Sequence, residues 1–165
     1  MKVIIRKAYP EESDILTDIS FTSKRYWSYP EEYFEVWKDE LTITPGYIQK
    51  NLVKIAEYDG EEGKILGYYS IIKNDKDFWA GKVFVMKGYW LEHIFIRPEF
   101  IGKGIGTQLI KDVKKTSKKL EIEKIYIFSD PNAKGFYDKI GADYIKESPS
   151  SIEGRTVSLF EMKIK

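Results

Sequence analysis

Cysteine is absent from the 165 residues, and histidine occurs once. The first absence excludes disulfides, thiolate metal sites and a cysteine nucleophile. The second excludes a histidine-rich metal centre, so no metal is expected. Charge of one sign is missing too: 27 basic against 26 acidic residues leave a formal charge of +1. A chain so balanced lacks the basic excess that draws a protein to nucleic acid, and no such partner is expected. No apolar run approaches the roughly 20 residues that a membrane helix needs. The opening Met1-Lys2-Val3-Ile4-Ile5-Arg6 is too short for a leader. These absences point to a soluble, cytoplasmic protein with no membrane partner. The length suits one domain, 1–165, with a sizeable core. Aromatic residues are what the chain has in quantity, at 15%, and many sit early.

Periodicity then suggests the elements. Lys2 to Lys7 reads as a strand. Pro10-Glu11-Glu12 opens a helix, with proline in the first turn and acids at its positive end. Ile15, Leu16 and Ile19 recur at helical spacing, and Phe21 to Trp27 is expected to leave that helix. A second helix starts near Pro30 and turns Tyr33, Phe34, Trp37 and Leu41 to one side, until Thr44-Pro45-Gly46 breaks it, and a short helical turn is expected around Ile48. Leu52 to Tyr58 and Lys64 to Lys73 read as strands joined by the turn-rich Asp59 to Gly63. Asn74 to Gly81 reads as a loop, and Lys82 to Ile96 as one or two strands bent near Gly88. A helix follows from Ile105 to Leu120, with Ile105, Leu109, Ile110, Val113 and Leu120 on its apolar face and lysines opposite. Lys124 to Phe128 is a buried-type strand. Asp130-Pro131 caps a short helix with Ala133, Phe136 and Ile140 inward, ended by Gly141. Strands at Ala142 to Lys146 and Val157 to Ile164 close the chain. Mixed strands and helices give an α/β (α+β) class with a partly antiparallel sheet.

The stretch Arg97-Pro98-Glu99-Phe100-Ile101-Gly102-Lys103-Gly104-Ile105-Gly106-Thr107 carries the most chemistry. A glycine-rich turn between a strand and a helix leaves several N–H groups unpaired at the positive end of the helix dipole. That is a seat for a phosphate or diphosphate. A P-loop would need a Lys-Thr or Lys-Ser pair at fixed spacing, and none is there. A dinucleotide turn would need a third glycine where Thr107 stands, and would lie early in a βαβ unit. The third option is the coenzyme A loop pattern Arg/Gln-x-x-Gly-x-Gly/Ala. Ile101 to Gly106 fits it at both glycines and departs at Ile101.

On this motif the chain resembles the GNAT N-acetyltransferases. The resemblance extends over nearly the whole length and is strongest from Leu91 to Tyr144. Two more segments carry it: Leu91-Glu92-His93-Ile94-Phe95-Ile96-Arg97-Pro98, similar to the strand before the coenzyme loop, and Asn132-Ala133-Lys134-Gly135-Phe136-Tyr137, similar to a later helix facing the cofactor. The resemblance implies a single GNAT-like domain whose mostly antiparallel sheet has splayed central strands and flanking helices. It implies acetyl transfer from acetyl-CoA to a primary amine of a small molecule or peptide by direct attack. A member that binds acetyl-CoA as a sensor without transfer is the alternative. Gly102, Lys103, Gly104, Ile105, Gly106 and Thr107 would cradle the diphosphate. Main-chain groups of Ile94, Phe95 and Ile96 would meet the pantetheine arm and the thioester carbonyl, and Asn132 would hydrogen-bond the pantetheine. Glu92, with His93 as second choice, would take the amine proton. Tyr137 would protonate the departing thiolate. The region after the first helix would wall the acceptor pocket, with Trp27 and Tyr29 its candidates and Tyr33, Phe34 and Trp37 mostly core. The resemblance also admits a homodimer.

Overall fold

The computed structural model describes residues 2–61 and 64–165. Of the expected turn from Asp59 to Gly63, Glu62 and Gly63 therefore lie outside the described residues. In chain order the elements are β1 (Val3–Lys7), a 3-10 turn (Pro10–Glu12), α1 (Ser13–Arg25), α2 (Glu31–Leu41), α3 (Pro45–Lys50), β2 (Leu52–Tyr58) and β3 (Ile65–Asn74). Then come β4 (Phe78–Ala80), β5 (Val83–Val85), β6 (Gly88–Ile96), α4 (Ile105–Lys119), β7 (Lys124–Ser129), α5 (Lys134–Lys139), β8 (Asp143–Pro149) and β9 (Thr156–Lys163). Seven strands form one sheet in the order β1-β2-β3-β6-β7-β9-β8, and β4 pairs with β5 in a separate hairpin. The β1–β2, β2–β3, β7–β9 and β8–β9 pairs are antiparallel. The β6–β7 pair is parallel, and among the described residues its register comprises Tyr89–Ile125 and Trp90–Tyr126. Ile94, Phe95 and Ile96 are outside that short ladder. The mixed, mostly antiparallel sheet flanked by helices is thus as expected.

The chain groups into two compact units, Met1–Ile71 with His93–Val113, and Ile72–Glu92 with Lys114–Lys165. In the first, Leu16, Ile19, Ile43, Ile48, Val53, Ile55, Ile65 and Tyr68 form a buried cluster, with Phe95 packed against it. Arg6 fastens this unit's first strand: its guanidinium donates to both oxygens of Glu12 and, through Nε, to Glu57. In the second unit Trp90, Tyr126 and Leu159 form the core, and Trp90 Nε1 donates to the Met86 carbonyl at 2.8 Å. That bond satisfies the one polar atom of a ring that is otherwise buried.

Several local expectations are corrected. Helix α1 does not end at Phe21 but runs to Arg25. The reason is tertiary: Ser20 and Ser23 face inward, Ser20 Oγ sharing a 2.6 Å hydrogen bond with the Tyr68 hydroxyl and Ser23 Oγ donating to the Ile96 carbonyl. Thr44-Pro45-Gly46 breaks α2, and Ile48 lies in the short helix α3, both as expected. Thr44 Oγ1 accepts from the Tyr47 N–H at 3.0 Å, and proline stands at the first helical position. The expected loop at Asn74 to Gly81 contains β4, and the β4–β5 turn is two residues long, with Gly81 at φ 61°. In α5 the buried residue is Tyr137, whereas Ala133, Phe136 and Ile140 are only half-buried. Strand β8 continues past Lys146 to Pro149.

Strand β3 approaches β6 closely at one point. A Cβ at Gly67 would lie 2.6 Å from the Phe95 carbonyl oxygen and 3.3 Å from the Ile96 Cα. Backbone on both sides cannot swing away as a side chain would. Gly67→Ala is therefore expected to destabilise the protein by about 2–3 kcal/mol, the upper part of the overpacking range. A urea denaturation midpoint equal to that of the unaltered protein would show that β3 and β6 are less tightly set.

Candidate active site

The expected diphosphate seat lies in the first unit. Arg97, Pro98 and Phe100 make a tight 3-10 turn after β6, in which the Phe100 N–H bonds the Arg97 carbonyl at 2.9 Å. Gly102 and Gly104 both take φ 81°, the left-handed region that side-chain-bearing residues rarely adopt. Among the described residues, a Cβ at either position would meet nothing within 4 Å. These glycines are thus required by backbone shape, and the space over them is open. Ile105 then begins α4 and is itself buried, as are Leu109, Ile110 and Val113; Leu120, expected on the same face, instead follows the helix's last residue, Lys119, and is exposed. The first intrahelical acceptor is the Gly104 carbonyl, which takes the Gln108 N–H at 3.1 Å. Helix geometry leaves the N–H groups of Ile105, Gly106 and Thr107 without intrahelical partners. Lys103 and Thr107 are exposed. An open turn with two left-handed glycines at the start of a helix offers room and main-chain donors for an anion.

Alternation along β6 separates the two candidate bases. Glu92 is exposed and His93 is buried, at 5% exposure. In the first unit the His93 ring lies against Tyr47, Tyr68 and Phe95. Burial, and then the positive charge of Lys24, push its pKa from 6.5 down to about 4. Burial also closes His93 to an incoming amine, whereas Glu92 is exposed, so access and not basicity separates the two candidates.

The same burial makes His93 a stability determinant with a defined sign. In the unfolded chain its pKa returns to about 6.5, so below that value the unfolded state binds the extra proton first. The contribution of neutral His93 is complete above pH 6.5 and is lost as pH falls to about 4. Its full extent is about 3 kcal/mol. His93→Gln should therefore flatten the fall in stability across this window. Parallel urea curves for both proteins at every pH from 7 to 4 would refute the assignment.

The second unit holds Asn132 and Tyr137. Asp130 caps the turn before α5: its Oδ1 accepts the Asn132 N–H at 2.9 Å and the Asn132 side-chain amide at 3.1 Å. The Asn132 side chain is thus oriented by Asp130. Tyr137 is 4% exposed and packs its ring on Phe136 and Phe160. Burial first, and the negative charge of Asp130 second, hold its phenol well above the ordinary value. It is therefore protonated throughout the neutral range and can act only as a donor there.

The aromatic group after α1 is part core and part surface. Phe34 and Trp37 are buried, Tyr33 and Tyr29 half-buried, and Trp27 is 44% exposed. Tyr29 meets Trp37 edge-on, and Trp27 meets Tyr26 likewise. Cations of the chain itself already cover several of these rings: Lys24 Nζ stands 4.4 Å from the Trp37 centroid, and the Arg25 guanidinium 4.3 Å from that of Phe34. Arg25 also pairs with Glu31. The sequence reading, which gave Phe34 and Trp37 as mostly core, missed both contacts; their signal was Lys24-Arg25 ending a helix just before the aromatic run. It also missed the Asp130 charge on Tyr137. Among the described residues no group of three or more His, Asp or Glu is arranged to hold a metal. None of the described helices is long and apolar enough to cross a membrane.

Comparison with known proteins bears on this arrangement. The model of the acetyltransferase (GNAT) family matches residues 14–142, well over half of the chain. Nothing among curated proteins matches. Among solved structures, the PaiA N-acetyltransferase from Thermoplasma acidophilum in complex with coenzyme A is similar at 21% identity, with a TM-score of 0.74 and 99% of each chain covered. A GCN5-related N-acetyltransferase from Rhodopseudomonas palustris is similar at 19% identity and a TM-score of 0.74, covering 99% of this chain and 96% of that one. A GNAT family acetyltransferase from Brucella melitensis in complex with acetyl-CoA is similar at 18% identity and a TM-score of 0.63, covering 99% and 89%. At such identities the structures speak for the fold, and the family model speaks for the lineage. This chain belongs to the GNAT family of acetyltransferases.

Proposed function

We propose that the protein moves the acetyl group of acetyl-CoA to a primary amine of a small molecule or a peptide by direct attack. The observation that carries this reading is the turn from Gly102 to Gly104, with two left-handed glycines under open space at the start of α4. Relatives of the same fold crystallised with coenzyme A and with acetyl-CoA support that choice of donor.

The chemistry follows from the groups the chain supplies. Gly102 to Thr107 offer main-chain donors to the diphosphate, with Lys103 beside them. Ile94, Phe95 and Ile96 offer main-chain groups to the pantetheine arm; an N–H of Ile94 or Phe95 polarises the thioester carbonyl and meets the charge that grows on its oxygen. Asn132, held by Asp130, hydrogen-bonds the pantetheine amide. An alkylamine is mostly protonated at neutral pH, so Glu92 removes its proton through a water. The amine nitrogen bonds the acetyl carbon, the carbon–sulfur bond breaks, Tyr137 supplies the proton that the sulfur takes, and the second proton shed by the nitrogen as it becomes an amide returns through water to the phenolate. Trp27 and Tyr29 line the way for the acceptor.

Thiol release from acetyl-CoA over a panel of primary amines and short peptides tests the reading, run beside calorimetry with coenzyme A alone. Amine-dependent release with a new amide product is the expected result. Tight binding without release for any amine would favour a sensor, and no binding would remove the donor assignment.

A further inference from the structure

We infer that Asp112, gripped by Tyr69 and Lys54, is a positioning residue for the diphosphate seat. The inference rests on the reading of that seat given above, and every group in it belongs to the first unit. Helix α4 turns Ile105, Leu109, Ile110 and Val113 inward. Apolar burial is non-directional, so this stripe decides which face points in but constrains small axial slides and rotations less well. The N–H groups at the start of the helix need tighter control. A hydrogen bond to a phosphate oxygen weakens steeply beyond its 2.7–3.2 Å range, and several such bonds must be satisfied at once.

Asp112 supplies that control. It is the one carboxylate on α4, among Lys111, Lys114, Lys115, Lys118 and Lys119. It stands seven positions after Ile105, about two turns from the donors. The Tyr69 hydroxyl donates to Asp112 Oδ2 at 2.7 Å, and Lys54 Nζ reaches the same oxygen at 3.0 Å. Tyr69 is fully buried, and the Lys54 and Asp112 side chains are 16% and 17% exposed. Lys54 and Tyr69 are register partners on β2 and β3, so both donors rise from adjacent strands. Two directional bonds from a paired ladder thus fix one point on α4.

Stability alone is a weak reason for such a pair, because apolar packing often serves as well as a buried ion pair. Placement of the helix is a better one. The pairing also has an electrostatic consequence: Lys54 neutralises a carboxylate that would otherwise repel the dianion two turns away.

The test uses the full chain with coenzyme A. The variants are Tyr69→Phe, Asp112→Asn, their combination, and Ile19→Val as a core change that costs stability without touching α4's bonds. Calorimetry gives the Kd for coenzyme A, and steady-state rates give the KM for acetyl-CoA against kcat. Each single variant should raise Kd and KM about tenfold with kcat changed less than twofold. Asp112→Asn keeps an oxygen that accepts from Tyr69 but loses the charge paired with Lys54, so the combination should be worse than either single variant, and Ile19→Val should leave Kd unchanged. Tyr69→Phe removes a single oxygen and carries the test if Asp112→Asn fails to fold. Binding that stays within twofold in these variants, even with lowered melting temperatures, overturns the inference alone. Failure of the unaltered chain to bind coenzyme A overturns the seat and the inference together.

Discussion

Replacing Tyr137 by Phe lowers kcat about 100-fold while leaving acetyl-CoA affinity within threefold, the loss expected when a general acid is removed. The substitution keeps the ring and its contacts with Phe136 and Phe160, at 5.3 and 5.6 Å between centroids, so the fold has no reason to respond. Only the O–H is lost. A thiolate leaving group has a conjugate-acid pKa near ~8.5, and its departure is slow without a donor as charge builds on sulfur. The environment of Tyr137 keeps the proton in place: burial, reinforced by Asp130, raises its pKa, so the phenol is loaded at every neutral pH and releases its proton only as charge builds on the sulfur beside it. The pH profile offers a second check. Because the phenol is held above its ordinary value, its ionisation should not lower kcat anywhere below pH ~10. An alkaline fall centred near pH 9 in the unaltered enzyme, absent in Tyr137→Phe, would contradict that environment. A kcat within threefold of the unaltered value would take Tyr137 out of the mechanism.

The parts of the structure that were legible in the sequence share a physical character. They are set by local constraints. Gly102 and Gly104 could be recognised because a strand, a turn with positive φ and an amphipathic helix follow one another in sequence. Asp130-Pro131 could be recognised as a cap because its hydrogen bond spans two residues. The alternation that put Glu92 and His93 on opposite faces is a property of any strand. What escaped depends on partners far along the chain. Helix α1 runs on to Arg25 because Ser20 and Ser23 find hydrogen-bond partners 48 and 73 positions away, and no local propensity contains that information. The burial of Tyr137 in place of its neighbours in α5 is likewise decided by Phe160 in β9. The β4–β5 hairpin is a different kind of miss. Gly81-Lys82 between Phe78-Trp79-Ala80 and Val83-Phe84-Val85 is a legitimate two-residue turn with glycine at its first central position. The polar run Asn74 to Asp77 outweighed it in a window of that length. Asp112 was hidden in plain view as a lone acid among lysines, and only the Lys54–Tyr69 register shows what it answers.

Gly104→Val should weaken coenzyme A binding at least 100-fold, and the cause can be divided. At φ 81° a β-branched residue is strained whatever the space around it, at a cost of order 1–3 kcal/mol. That strain shows as lost melting temperature. It is not the whole effect, because a Cβ at Gly104 points into room that no described protein atom occupies. The added carbons therefore fall where the diphosphate would rest, and each charge-assisted bond they break is worth about 1.5–3 kcal/mol. Two such bonds already exceed 100-fold in affinity. Gly106→Ala separates the two contributions. Gly106 lies inside α4, where alanine is favoured over glycine by up to about 1 kcal/mol, so this change should hold or raise stability. If Gly106→Ala melts no lower than the unaltered protein yet binds coenzyme A at least tenfold more weakly, backbone strain is excluded as the explanation. Crowding of the main-chain donors then remains. Should both variants bind coenzyme A normally in a calorimeter, the phosphates are held elsewhere, and the open turn before α4 is there for folding alone.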